Sequence, residues 1–446
     1  MPHSLRPLTR RLASGFASLA LALGAGCAAS LLDSPAAAQF GGFSAMSEAF
    51  SPDLLQRDIV VFHENLALEE WQRPVIEVLL ADYVEAFSIG SELVREQMSQ
   101  VRVDGASSSE VIRRLMAPVN QWIKDKEALR VELLESIRMQ LGQEQLERWP
   151  AFERALRREK SLGSGVLSGE STNLFLIVKG LPLDRDAVRA VQPALAEYEV
   201  LLDNALQRRE AAMKAQQDAI SRAMIEMDHS AGLAAMEQIT QARVIVRQAQ
   251  DQGATIIAEA LPEDVRAEFV RRWRENAYPK IFRAPALRRT FEVARSLPDL
   301  TSEQRAGIDR IEADYITKLD ALNLQMLDTL RLEEPREFKR KAEAAQNRQP
   351  GRPVERIPDA LAQFDPIRDS YEQEARLALE ALLNPEQVAM LPSAGKGTSG
   401  RDRQRDLGDR ADPKAGDGRR PNLDRGGAAG RGDGSGDRRP ARNVAD

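Results

Sequence analysis

Along most of this chain apolar side chains recur at steps of three and four residues, the rhythm of one face of an α-helix. Ile308, Ile311, Tyr315, Leu319, Leu322 and Met326 form one such run, and Leu195, Tyr198, Leu202, Ala205 and Ala212 form another. Return helices are read from Ile239, Ala242, Val246 and Ala249, and from Ile112, Leu115, Val119, Ile123, Leu133 and Ile137. Pro118 falls inside the last of these, where its ring predicts a kink or break. No extended stretch alternates with the period of two that a half-buried strand shows. The pattern therefore predicts an all-α fold, with Gly163 to Gly169 and Gln349 to Pro353 as loops.

A longer period overlies the short one. Leu68, Gln72, Ile76 and Tyr83 have the same spacing as Leu300, Gln304, Ile308 and Tyr315. Leu183, Ala187, Val191 and Tyr198 keep it a third time, with the glutamine lost, and an acid (Asp82, Glu197, Asp314) precedes each tyrosine. A second marker follows in each copy: Leu141, Gln145 and Trp149, then Leu261, Val265 and Phe269, then Leu383, Gln387 and Leu391. Ile59, Leu174 and Phe291 stand ahead of the three first markers in the same register. A repeat this long is a duplicated domain rather than a short solenoid unit. It divides the body into helical units at 39–164, 165–282 and 283–392, with the glycine-containing loops expected to be open to proteolysis.

Each marker also has a local meaning. In Leu300-Thr301-Ser302-Glu303-Gln304, Thr301 can cap a helix while Gln304 reaches back to the cap's own N–H, the reciprocal capping box. Leu383-Asn384-Pro385-Glu386-Gln387 repeats the device with Asn384 as cap and proline at the first helical position. Asp184 and Pro262 keep partial versions. The markers thus predict helix starts, each with its leucine placed to staple onto the first turn, and each tyrosine with its ring in the core and its hydroxyl on a polar partner.

The two ends differ from the body. Arg6, Arg10 and Arg11 precede an apolar run, and Ala36-Ala37-Ala38 before Gln39 fits a signal-peptidase site, so residues 1–38 read as an export signal. Export follows, with no membrane span after cleavage. Cys27 after Gly26 offers lipid anchoring as the alternative, and it is the only cysteine, so a cleaved chain has no disulfide or thiol chemistry. Residues 393–446 contain 12 of the 28 glycines and 13 Lys/Arg against 9 Asp, a composition that predicts a disordered tail. The formal charge is −6; with +2 in residues 1–38 and +4 in the tail, the body carries −12, which argues against nucleic acid as its partner.

Candidate chemistry is sparse. His63-Glu64 lacks the second histidine of a helical zinc-protease site, and the chain has neither a P-loop nor a dinucleotide fingerprint. A non-enzymatic protein without cofactor is expected. Met224, Met227, His229 and Met236 gather thioether and imidazole near an expected helix turn, a set that suits Cu(I), although methionine is also a routine core filler.

At its markers the chain resembles the periplasmic LTxxQ family, the Spy/CpxP-like helical proteins. Leu300-Thr301-x-x-Gln304 matches the motif in full, Leu383-x-x-x-Gln387 resembles its looser second occurrence, and Leu68-x-x-x-Gln72 and Leu141-x-x-x-Gln145 are degenerate. The resemblance implies a periplasmic location, three tandem helical-hairpin units, and an ATP-independent chaperone or envelope-stress protein binding unfolded or partner polypeptides. A structural envelope scaffold and a metal-responsive binding protein are the alternatives. Tandem units can pack on one another where single-unit relatives dimerise, so the body is expected to be an elongated monomer.

Overall fold

A computed structural model describes residues 49–102, 105–226, 228–346 and 359–392. The expected signal segment with Cys27, the loop at 349–353, the tail at 393–446 and Met227 lie outside the described residues. The described residues form an all-α fold of twelve helices with no strand.

The long period becomes a four-helix unit used three times: a short helix, two long antiparallel ones and a closing helix. In the first copy these are α1 (Ile59–Leu66), α2 (Gln72–Ser99), α3 (Ser108–Arg138) and α4 (Gln143–Ser161). The second copy has α5 (Leu174–Lys179), α6 (Arg185–Glu226), α7 (His229–Ala260) and α8 (Glu263–Ala277). The third has α9 (Arg288–Ser296), α10 (Ser302–Gln346), α11 (Asp365–Leu382) and α12 (Pro385–Ala389). Marker leucines stand immediately ahead of α2, α4, α6, α8, α10 and α12, as the capping chemistry requires. Pro118 does not break α3, which runs on through it.

Each copy buries its own stripe. Phe62, Ile76, Leu80, Ile137, Trp149 and Phe152 pack together in the first. Phe291, Ile308, Tyr315, Leu319, Leu379 and Leu391 do so in the third. The second copy's core is larger because it takes in Leu162 from the end of α4 and Leu322, Met326, Leu327 and Leu330 from α10. Described residues through Leu391 thus belong to one compact unit.

The marker glutamines do more than cap. Gln72 donates from Nε2 to Gln145 Oε1 at 2.8 Å, and Gln145 Nε2 returns a bond to Gln72 Oε1 at 2.7 Å. Gln72 also reaches the Gln140 carbonyl at the end of α3, and Gln145 reaches the Ala67 carbonyl. Their oxygens still take the N–H groups of Glu69 and Gly142. The pair is buried, and it ties the start of α2 to the start of α4. In the third copy Gln304 Nε2 meets Gln387 Oε1 at 3.0 Å and the Leu382 carbonyl at 3.2 Å, while Gln387 Nε2 meets the Pro298 carbonyl at 3.3 Å. Both capping boxes expected there are formed in both directions.

The second copy closes differently. Ala187 and Val265 occupy the glutamine positions and are buried. Arg266, one residue on, bonds the Ala258 and Leu261 carbonyls at the end of α7. The residue ahead of the first marker changes as well. Ala67 and Asp299 adopt φ of 48° and 56°, whereas Pro182, held near −65° by its ring, cannot. Asp184 keeps the cap, accepting from Ala187 N at 2.8 Å.

The repeated tyrosines all point inward, and their acidic neighbours Asp82, Glu197 and Asp314 are exposed. Tyr83 accepts from Asp53 N at 3.1 Å, and Tyr198 donates to Gln250 Oε1 at 2.7 Å. Tyr315 departs from expectation: its hydroxyl is buried without a partner. Behind the Tyr198 ring stands Gly253 of α7, where an added Cβ would lie 2.1 Å from a ring carbon. Helix interiors normally lose about 1 kcal/mol to glycine, so this one is kept by the close approach.

Two measurements check this packing. Gly253→Ala should lower unfolding stability by about 1–3 kcal/mol, the usual cost of overpacking, despite its better helix propensity; a gain in chemical-denaturation midpoint would contradict the contact. Gln72→Ala should cost about 1–3 kcal/mol by stranding buried Gln145. Gln72→Ala with Gln145→Val, the pair the second copy uses, should cost less than the two single changes together, by about 0.5–3 kcal/mol of coupling. Strict additivity would mean the two amides do not act as a pair.

Candidate functional site

Among the described residues, the most deeply buried charged side chains meet at the segment between α4 and α5. Glu170 on this segment is fully buried. Its Oε2 takes the N–H groups of Val166 at 2.7 Å and Leu167 at 3.1 Å, which curls the loop around its own carboxylate. Its Oε1 takes Arg209 Nη1 of α6 at 2.7 Å and Arg243 Nη1 of α7 at 3.1 Å. A buried carboxylate is tolerable only when so paired and hydrogen-bonded. Arg209, itself buried, also bonds the Ser161 carbonyl and Ser164 Oγ.

A second carboxylate grips the same loop from the third copy. Glu334 of α10 accepts Ser168 N at 3.1 Å and Ser168 Oγ at 2.8 Å, and pairs with Arg247 Nη1 of α7 at 3.0 Å. The next residue, Gly169, has φ +83°, and a Cβ there would meet the Tyr278 hydroxyl at 2.9 Å. That hydroxyl donates to Asp251 at 2.7 Å, and Asp251 pairs with Arg331 at 2.8 Å. Burial raises the carboxyl of Asp251 above the ordinary carboxylate range, against the Tyr278 bond and the Arg331 charge that pull it down. The loop expected at Gly163 to Gly169 is present but held by its neighbours: Leu167, Gly169 and Glu170 are buried, and three successive amides of the loop are bonded to carboxylates.

Beside the clamped loop lies a cleft of about 690 Å³, bounded by Gly165 to Asn173, the outer face of α5, the end of α8 and Glu334. Val166 and Leu176 are exposed on it, while Ser171, Asn276 and Lys280 add polar groups. Arg272 on its wall is committed to Glu268 and to the Gly180 carbonyl. Lys280 has no ion-pair partner among the described residues.

The sequence candidates sit elsewhere. Leu68, Leu261, Leu300 and Leu383 are buried staples, with Leu141 and Leu183 packed at the core margin. Met224 lies in the last turn of α6 and Met236 lies half-buried on α7, on either side of the turn; His229 opens α7, and Asp228 before it caps that helix through the N–H groups of Ser230 and Ala231. His63 is exposed on α1. Among the described residues no cluster of three His, Cys, Asp or Glu side chains has metal-binding spacing. The Glu170 centre was not anticipated: one acid among glycines and serines looks like loop composition.

Burial pushes the Tyr83 phenol up to about 12 and raises Tyr198, Tyr278 and Tyr315 in the same direction. A raised folded-state value means the protonated phenol favours the fold. That contribution is present below the unfolded-state value of about 10 and is lost as pH climbs toward the folded one. Unfolding stability should therefore fall between about pH 10 and pH 12. Tyr315→Phe should change neutral-pH stability by less than about 1 kcal/mol, since its hydroxyl bonds nothing, and should reduce the alkaline loss. An unchanged alkaline profile in that variant would contradict the burial of the hydroxyl.

No protein-family model matches the chain, and no curated protein or solved structure does either.

Proposed function

We propose that this is an exported, non-catalytic polypeptide-binding protein, and that the cleft beside the clamped loop takes a short segment of its partner. The observation that carries this reading is the division of labour around Glu170. The carboxylates and guanidinium groups nearest the cleft already bond one another or the loop backbone, so the chemistry offered outward is aliphatic side chain, amide, hydroxyl and one ammonium. Such a mixture suits recognition: apolar contacts supply affinity and a few placed polar groups fix orientation. Export is read from residues 1–38, and the likeness to the LTxxQ chaperones and stress proteins supports the same class. A rigid backbone around the cleft, with loop amides fixed by Glu170 and Glu334, reduces the ordering cost of binding.

The test uses the full mature chain with Leu176→Asp and Lys280→Glu together. Both side chains are exposed, so circular dichroism and melting should match the parent. Retention of unfolded model polypeptides, read by aggregation suppression and by anisotropy of labelled peptides, should fall about tenfold, equivalent to about 1.4 kcal/mol. Unchanged retention would remove the cleft from the binding surface. Absence of retention by the parent would favour the scaffold reading.

A further inference from the structure

The triplicated body supplies its own control for which exposed residues the fold requires. On α2, Val78, Ile89 and Leu93 are each more than half exposed. At about 100° per residue they fall within about 60° of one another on the helix surface. The same stripe carries Asp82, Glu85, Glu92 and Glu96, all exposed, and no basic residue. Arg73 is turned to Glu77 and Arg95 lies over the Phe50 ring, both on other faces. Asp82, Glu85 and Glu92 have no ion-pair partner among the described residues.

The equivalent positions in the other copies are also exposed, but polar or small. Val78 corresponds to Pro193 on α6 and Arg310 on α10, Ile89 to Asn204 and Ala321, and Leu93 to Arg208 and Gln325. The same scaffold therefore folds without an aliphatic stripe. Three large aliphatics at these sites in one copy only, framed by four exposed acids of which Glu85 and Glu92 have no acidic counterpart in the other copies, call for an explanation outside folding.

We propose that the outer face of α2 docks a cationic amphipathic helix of a partner protein, with apolar residues at three-and-four spacing and Lys or Arg between them. The stripe from Val78 to Glu96 is straight and about 27 Å long, the length of five helical turns. A helix laid along it places an aliphatic row on Val78, Ile89 and Leu93 and its flanking ammonium or guanidinium groups on the acids. A second copy of this chain does not fit, because it would set the same carboxylates against each other. The basic segment 393–446 does not fit either: its larger aliphatics, Leu407, Leu423 and Val444, are too widely spaced to meet three residues within this stripe. This surface is separate from the cleft and does not depend on it.

The probe is a labelled helical peptide of about 18 residues with leucines at helical spacing and lysines between them, titrated onto the full mature chain by anisotropy. A control peptide carries Glu for Lys. The triple variant V78R/I89A/L93Q installs the residues that α10 uses at these exposed sites, so it should melt with the parent. It should bind the Lys peptide about tenfold or more weakly. D82K/E85K should bind weakly too and should lose much of the parent's salt sensitivity. L176D/K280E, which alters only the cleft, should bind this peptide as the parent does. Equal affinity of the triple variant and the parent, equal binding of the Glu peptide, or no binding of the Lys peptide by the parent would each overturn the proposal.

Discussion

The buried carboxylate of Glu170 is the contact on which the integration of the three copies depends. Alone, a carboxylate at full burial would cost several kcal/mol. Here two backbone amides and two guanidinium groups, from α6 and α7, surround it. Because the amides belong to the segment that leaves the first copy and the arginines to the hairpin of the second, one side chain converts a connector into a packed element. Glu334 adds the third copy through Ser168 and Arg247. Removing either partner of such a set leaves an uncompensated buried charge, which is far more damaging than replacing the whole set with apolar groups.

Within each copy the controlling constraint is smaller: the hairpin must close at the end where α2 and α4, or their counterparts, begin. Two copies solve this with a pair of glutamines whose amides serve as both helix cap and cross-tie. The central copy uses Ala187 and Val265, supported by Arg266 on the helix-end carbonyls. The change fits its setting. The central copy is packed by α4 on one side and α10 on the other and has the largest apolar core, so it has least need of a polar tie.

The helical class, the repeat and the helix starts were legible because each has a local cause: periodic burial, duplicated spacing, and caps that satisfy orphaned N–H groups within four residues. The pairing of Gln72 with Gln145 was legible only indirectly, in that the central copy lacks both of its glutamines together. The Glu170 centre was not legible. Its partners Arg209 and Arg243 lie on helix faces where arginine is ordinarily solvated, and only the packing of α6 against α7 brings both to one carboxylate. Of the kink or break expected at Pro118, the break does not occur, since α3 continues past a residue that would end an isolated helix. Tyr315 shows a limit of pattern reasoning: its ring position was correct, but whether a hydroxyl finds a partner depends on neighbours that spacing does not encode.

The α2 stripe shows what a triplicated chain offers that a single unit does not. Positions that are polar or small in two copies and large aliphatic in the third separate what folding demands from what one surface has acquired. The integration of the copies through the loop after α4 is tested most directly by amide hydrogen exchange in the full chain. With Val166, Leu167 and Ser168 bonded to Glu170 and Glu334, their exchange should be slowed to the range of the flanking helices. Exchange of these three amides at the rate of an open loop, with α4 and α6 still protected, would contradict the clamp.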